Sequence, residues 1–184
     1  MLATRTILVP VLLASVGICG CNEPFTWEAQ EFESTFDSRE GVWTVRHTLW
    51  NVGAESLSVR SEAFDSLLAD WRTEDTLVLE RTAWAQGDSL CMRYLERTSS
   101  LPAELSESDD SMHIEFTYVD TLPDIIETNG TVVSDGDGVV VRWPAGAKEI
   151  RIKWWCDRSV VPFTEEQRAR IIQATPVRST GHAR

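Results

Sequence analysis

Gly87-Asp88-Ser89-Leu90 sets a serine just after a glycine and an acid, and Asp110-Ser111-Met112-His113 sets an acid three residues before a histidine. Those residue types could make a hydrolase. Ser89 would attack, His113 would take its proton, Asp110 would orient the imidazole, and separate Gly and Asn blocks would supply the oxyanion donors. The surroundings oppose that chemistry. The two blocks lie close together in the chain, and Gly-Asp-Ser is also ordinary turn chemistry.

These blocks spell the two signatures of the GDSL hydrolases, a family that resembles a flavodoxin-like α/β layer with its serine after a buried parallel strand. Around Ser89 there is no βαβ alternation, and neither Asn51 nor Asn129 sits in a Gly-x-Asn-Asp setting. A GDSL-like esterase using Ser89 is therefore the remote alternative. The expectation is a non-enzymatic protein with no catalytic residues.

Cysteine carries the other chemistry. Residues 1–20 hold Arg5, an apolar run from Ile7 to Ile18, and then Ile18-Cys19-Gly20-Cys21, close to a bacterial lipobox. A bilayer span needs about 20 apolar residues; this run is shorter and contains Pro10. Processing before Cys21 would leave a diacylglyceryl thioether and an N-acyl chain such as palmitate, a lasting anchor at roughly 0.8 kcal/mol per buried methylene. The alternative is an ordinary signal peptide cut beside a cysteine. Cys91 and Cys156 remain, and in an oxidising compartment they are expected to form one disulfide. Closing that loop of about 65 residues stabilises by roughly 4 kcal/mol. Two buried free thiols are the other reading.

The chain has 17 Lys and Arg against 29 Asp and Glu, a formal net charge of −12. Such a balance repels nucleic acid and anionic headgroups, so attachment falls to the acyl chains. The acids are scattered, as on a solvated surface. His47, His113 and His182 hold no zinc-ligand spacing with the cysteines. Asp135-Gly136-Asp137-Gly138 lacks the downstream ligands of a calcium loop and reads as a turn. No metal or other cofactor is expected.

The elements that must position these residues are mostly short strands. Phe25 to Phe36 and Val42 to Val52 flank a turn at residues 38–41; Trp43, Val45, His47 and Leu49 share one face of the second strand. His47 reads as a satisfied, semi-buried histidine. Phe64, Leu67, Leu68 and Trp71 make a helical stripe, with Ser61 as N-cap. Thr76–Ala85 and Ser89–Thr98 form a hairpin around Gln86-Gly87-Asp88, and residues 100–105 a helical turn. Met112, Ile114, Phe116 and Tyr118 alternate as a half-buried strand. Asn129-Gly130 signals a type I′ turn. Val139–Trp143 and Glu149–Cys156 complete the strands, and Thr164 with Gln167 caps a last helix that Pro176 stops. The fold class is α+β, a mostly antiparallel curved sheet of about eight short strands with two or three short helices. Residues 1–20 are the lipoprotein signal peptide, 21–24 the lipidated Cys21 and tether, 25–177 one domain and 178–184 a loose tail.

Eight tryptophans are many for a domain of this size. Trp154 and Trp155 are adjacent, so on a strand they face opposite sides, and one points away from the main core unless both faces are covered. Exposed tryptophan suits a lipid interface or an apolar groove; Trp143, Trp154 and Trp155 are the candidate binding residues.

Thr128-Asn129-Gly130, Asp135-Gly136 and Val139 to Pro144 together resemble a hairpin of bacterial envelope lipoproteins of the LppM type. That resemblance implies a membrane-tethered α+β domain with a curved sheet and a role in amphiphile binding. Many such relatives carry a C-terminal membrane helix that this sequence does not show. The expectation is an extracytoplasmic lipoprotein on a bacterial membrane, the outer one if the source is Gram-negative. It would bind a lipid or other apolar ligand, or an envelope protein, and no nucleic acid. A pure scaffold lipoprotein is the alternative.

Overall fold

The structure is a computed structural model that describes residues 24–73, 78–117, 125–135, 138–155 and 159–174. The chain runs β1 (Phe25–Thr26), β2 (Ala29–Asp37), β3 (Val42–Ala54), α1 (Arg60–Arg72), β4 (Val78–Gln86), β5 (Ser89–Thr98) and β6 (Ser106–Glu107). It continues β7 (Ser111–Thr117), β8 (Ile125–Thr128), β9 (Thr131–Asp135), β10 (Gly138–Pro144), β11 (Glu149–Trp155), β12 (Val161–Pro162) and α2 (Glu165–Gln173). The fold is α+β and its strands pair antiparallel, as the alternation implied. The strands fall into two sheets. The larger has the order β4-β5-β3-β2-β11-β8, with β1 and β12 both on the end of β3; the smaller has the order β6-β7-β10-β9.

One face of the large sheet carries two cores side by side. Phe32, Trp43, Val45, Ile150, Ile152 and Trp154 meet Met112, Ile114, Phe116, Val141 and Trp143 of the small sheet. Farther along the same face, Leu49, Val52, Leu90 and Met92 pack under Phe64, Leu67, Leu68 and Trp71 of α1 and Ile171 of α2. The period-2 pattern of β3 produces this, because its inward residues feed the first core and then the second.

A bulge breaks β3 between Leu49 and Val52, where Asn51 takes a φ of 50°. The extra residue returns Val52 to the inner face. The Asn51 amide is held by Glu28, with Nδ2 donating to Oε2 at 3.2 Å.

Three local expectations are corrected. Asn129-Gly130 does not close a hairpin: β8 pairs with β11 while β9 pairs with β10, so the dipeptide is the corner where the chain passes from one sheet to the other. Asn129 ties that corner, since Oδ1 accepts from Trp143 Nε1 at 2.8 Å and from Arg151 N at 2.9 Å. Glycine is required at 130 by close approach, because a Cβ there would lie 2.7 Å from the Trp143 ring and 2.8 Å from the Arg142 carbonyl oxygen. Ser61 lies inside α1, whose N-cap is Val59, two residues earlier, with the Val59 carbonyl accepting from Ala63 N at 2.8 Å. Residues 100–105 form a turn and not a helix, closed by Leu105 N donating to Pro102 O at 3.0 Å.

The capping box forms as read. Gln167 N donates to Thr164 Oγ1 at 3.2 Å, and Thr164 N donates to Gln167 Oε1 at 3.0 Å. Two otherwise orphaned amides are thus satisfied at the start of α2. Tyr118, Cys21, Cys156, residues 74–77 and the tail from 175 lie outside the described residues.

Candidate functional site

The outer face of the large sheet follows from the inner one, because residues opposite each other in an antiparallel pair point to the same side. Ala83, Leu49 and Trp154 are core residues. Their chain neighbours Trp84, Trp50 and Trp155 therefore stand on the outer face, each half-buried. Register sets them in one row across the sheet. Trp84 opposes Cys91, Trp50 opposes Ala29, and Ala29 opposes Trp155. The row also needs the bulge, which brings Trp50 beside Trp84.

These rings are braced by each other and by cations. Trp50 and Trp84 meet edge-to-face with centroids 5.8 Å apart. Lys153 Nζ lies 5.0 Å from the Trp50 centroid and 4.5 Å from that of Trp155. The Arg93 guanidinium lies 5.2 Å from the Trp84 centroid, and its Nε donates to Thr48 Oγ1 at 3.3 Å. Each such contact contributes about 0.5–1 kcal/mol at an exposed site. Among the described residues, neither Arg93 nor Lys153 has a carboxylate within ion-pairing distance, whereas Arg46, Arg97, Arg151 and Arg168 each do.

Polarity is graded along the strands. Next to the tryptophan row comes a row of alternating charge, Arg93, Thr48, Glu31, Lys153 and Glu127. The row beyond holds Arg46, Glu33 and Arg151, with Arg46 Nη1 and Glu33 Oε2 2.6 Å apart. A cleft of about 150 Å³ opens there, lined by those three residues and Glu149. The tryptophan row lies toward the end of the sheet where the chain enters, because Phe25 opposes Ala54 at the end of β3. Ala54 lies four positions after Trp50, at most about 13 Å of strand.

Of the three expected binding residues, only Trp155 lies on this face. Trp143 is 2% exposed and Trp154 3% exposed. The first donates to Asn129 and the second packs edge-on to Phe116 at 5.3 Å, both within the first core. Trp50, Trp84, Arg93 and Lys153 are the residues that sequence reasoning missed. Trp50 follows Leu49 on β3 and so falls opposite its core face; the missing information was which strands lie beside it.

The hydrolase blocks are not brought together. Ser89 opens β5 in the large sheet and opposes Gln86 across the hairpin turn, with Gly87 at a φ of 60°. His113 belongs to β7 of the small sheet, opposite Arg142 and Ser106. Asp110 Oδ1 accepts from Ser108 Oγ at 3.3 Å, and the Asp88 side chain is 97% exposed, facing Arg168.

Cys91 is a free, buried thiol beneath the tryptophan row; its expected partner Cys156 lies outside the described residues. Burial pushes the Cys91 thiol above its ordinary value, opposed in part by a backbone hydrogen bond from Asn51. His47 is also buried, and burial lowers its value although the nearby Glu104 carboxylate raises it. Among the described residues, no cluster of three or more His, Cys, Asp or Glu side chains could hold a metal ion, and no helix is long and apolar enough to cross a membrane.

No family model matches this chain, and no curated protein or solved structure does.

Proposed function

We propose that this chain is a membrane-anchored, extracytoplasmic bacterial lipoprotein without enzymatic activity, which binds lipid at the membrane surface through Trp50, Trp84 and Trp155. The observation that carries the reading is the tryptophan row, braced by Lys153 and Arg93, toward the end of the sheet where β1 begins. Tryptophan is an interfacial residue, with an apolar body and a polar N–H, and long cationic side chains reach from such a belt toward water. Cys21 precedes Phe25 by four residues, at most about 14 Å of extended chain. A lipid on Cys21 would therefore hold this edge of the sheet close to the bilayer. The graded rows then run from aromatic near the membrane to fully charged away from it.

The test is co-sedimentation of the unlipidated chain, residues 22–184, with vesicles of zwitterionic phospholipid. Binding is expected, and Trp155→Glu should weaken it at least tenfold. Vesicle binding that is absent, or that Trp155→Glu leaves unchanged, contradicts the reading and moves the assignment to a protein partner.

A further inference from the structure

His47 stands where the two cores meet. Its neighbours on the inner face of β3, Val45 and Leu49, belong to different cores. Across the strands it opposes Phe32 of the first core and Tyr94, which packs on the second. Their ring centroids lie 5.3 Å and 6.5 Å from the imidazole. Glu104, from the segment between β5 and β6, reaches into the same seam. His47 Nε2 lies 3.4 Å from Glu104 Oε1, with the side chains 4% and 11% exposed. Each group keeps one buried polar atom without a partner, Nδ1 of His47 and Oε2 of Glu104. Flanking Glu104, Leu101 and Leu105 pack against the first core.

We propose that the His47–Glu104 pair is a proton-operated latch: uptake of one proton on the buried imidazole releases residues 99–105 from the seam between the two cores. With Nε2 facing the carboxylate, Nδ1 is the nitrogen that accepts the proton from solvent. Nδ1 is buried and has no hydrogen-bond partner, so its new N–H would be left unpaired in a seam that Phe32 and Tyr94 flank. A buried charge so placed is costly. Glu104 offsets that cost only in part, and the other charged groups on this face are Arg81 and Glu96. Arg81 is committed to the carbonyls of Asp70, Trp71 and Thr73, and Glu96 lies one inward position along β5, opposite Val45. Helix α1 contributes Trp71, which packs on Tyr94, and the first core contributes apolar residues, none of which titrates. Solvating the imidazolium requires water in the seam. Residues 99–105 pair with no strand of either sheet, so they are the cover that can move to admit it.

Hydrogen exchange of the full chain, corrected for intrinsic rates, tests this at pH 7.5 and pH 5.0. Amides of residues 99–105 should open more often at the lower pH, by up to about tenfold for each pH unit between 6.5 and the folded value of His47. In His47→Gln this acceleration should disappear. No acceleration in the wild type, or the same acceleration in His47→Gln, overturns the latch. Should His47→Gln fail to fold, the ring-nitrogen NMR titration of the wild type decides. His47 is expected to titrate below 6.5, and lower still in Glu104→Gln; titration at or above 6.5 overturns the proposal.

Discussion

Trp154 and Trp155 are adjacent in β11 and serve opposite faces of the same sheet. Trp154 packs edge-on to Phe116 in the core, while Trp155 lies under the Lys153 ammonium on the outer face. The two should therefore respond differently to truncation. Trp154→Ala is expected to lower stability by about 3–5 kcal/mol in urea unfolding. Trp155→Ala is expected to cost about 1 kcal/mol, the scale of the lost cation–π contact, and to weaken vesicle binding. Equal destabilisation by the two would mean that both faces are covered.

The corner at Asn129 is expected to be sensitive out of proportion to its exposure. Asn129→Ala strands the Trp143 indole N–H and the Arg151 amide at once, at a cost of about 1–3 kcal/mol for a buried donor left unpaired. Gly130→Ala should destabilise as well, because the added methyl meets the Trp143 ring and the Arg142 carbonyl. Both are read from denaturant midpoints, and a neutral Gly130→Ala would show that the corner is looser than described.

Burial lowers the imidazole value of His47 below 6.5. The unfolded chain therefore binds more protons than the folded one just below that pH, and stability must fall as the medium is acidified. The loss begins near pH 6.5, has a slope of at most about 1.4 kcal/mol per pH unit from this group, and levels off below the folded value. His47→Gln should remove that component from a series of urea unfolding curves between pH 7.5 and pH 5.

Cys91 should alkylate slowly in the native protein. It is 1% exposed, and its thiolate is disfavoured by burial. Iodoacetamide labelling at pH 8, followed by peptide mass analysis, is expected to modify Cys91 fully only after denaturation. Rapid native labelling would place the thiol at the surface.

The period-2 strands and the Thr164 capping box were legible because their signals are local: one face of β3 is apolar, and Thr164 and Gln167 lie three apart. Asn129-Gly130 misled for the same reason. Its turn chemistry is real, but whether it closes a hairpin depends on β8 and β9 belonging to different sheets, a fact held in distant pairings. The tryptophan row was only half legible. Adjacency placed one of the Trp154–Trp155 pair away from the core, whereas its alignment with Trp50 and Trp84 depends on strands β4, β5, β3, β2 and β11 and on the bulge at Asn51. His47 reads as a satisfied histidine from its apolar strand face; that it meets Glu104 and leaves Nδ1 without a partner depends on a segment more than fifty residues away.

On the proposed function, the outer tryptophan row touches the bilayer. The most direct measurement is quenching of tryptophan fluorescence by phospholipids brominated near the headgroup, with the full chain lipidated at Cys21 in vesicles. Clear quenching is expected in the wild type, and its loss when Trp50, Trp84 and Trp155 are all replaced by Phe, with the buried tryptophans still emitting. Absence of quenching in the wild type, or quenching that survives the triple replacement, would contradict that proposal.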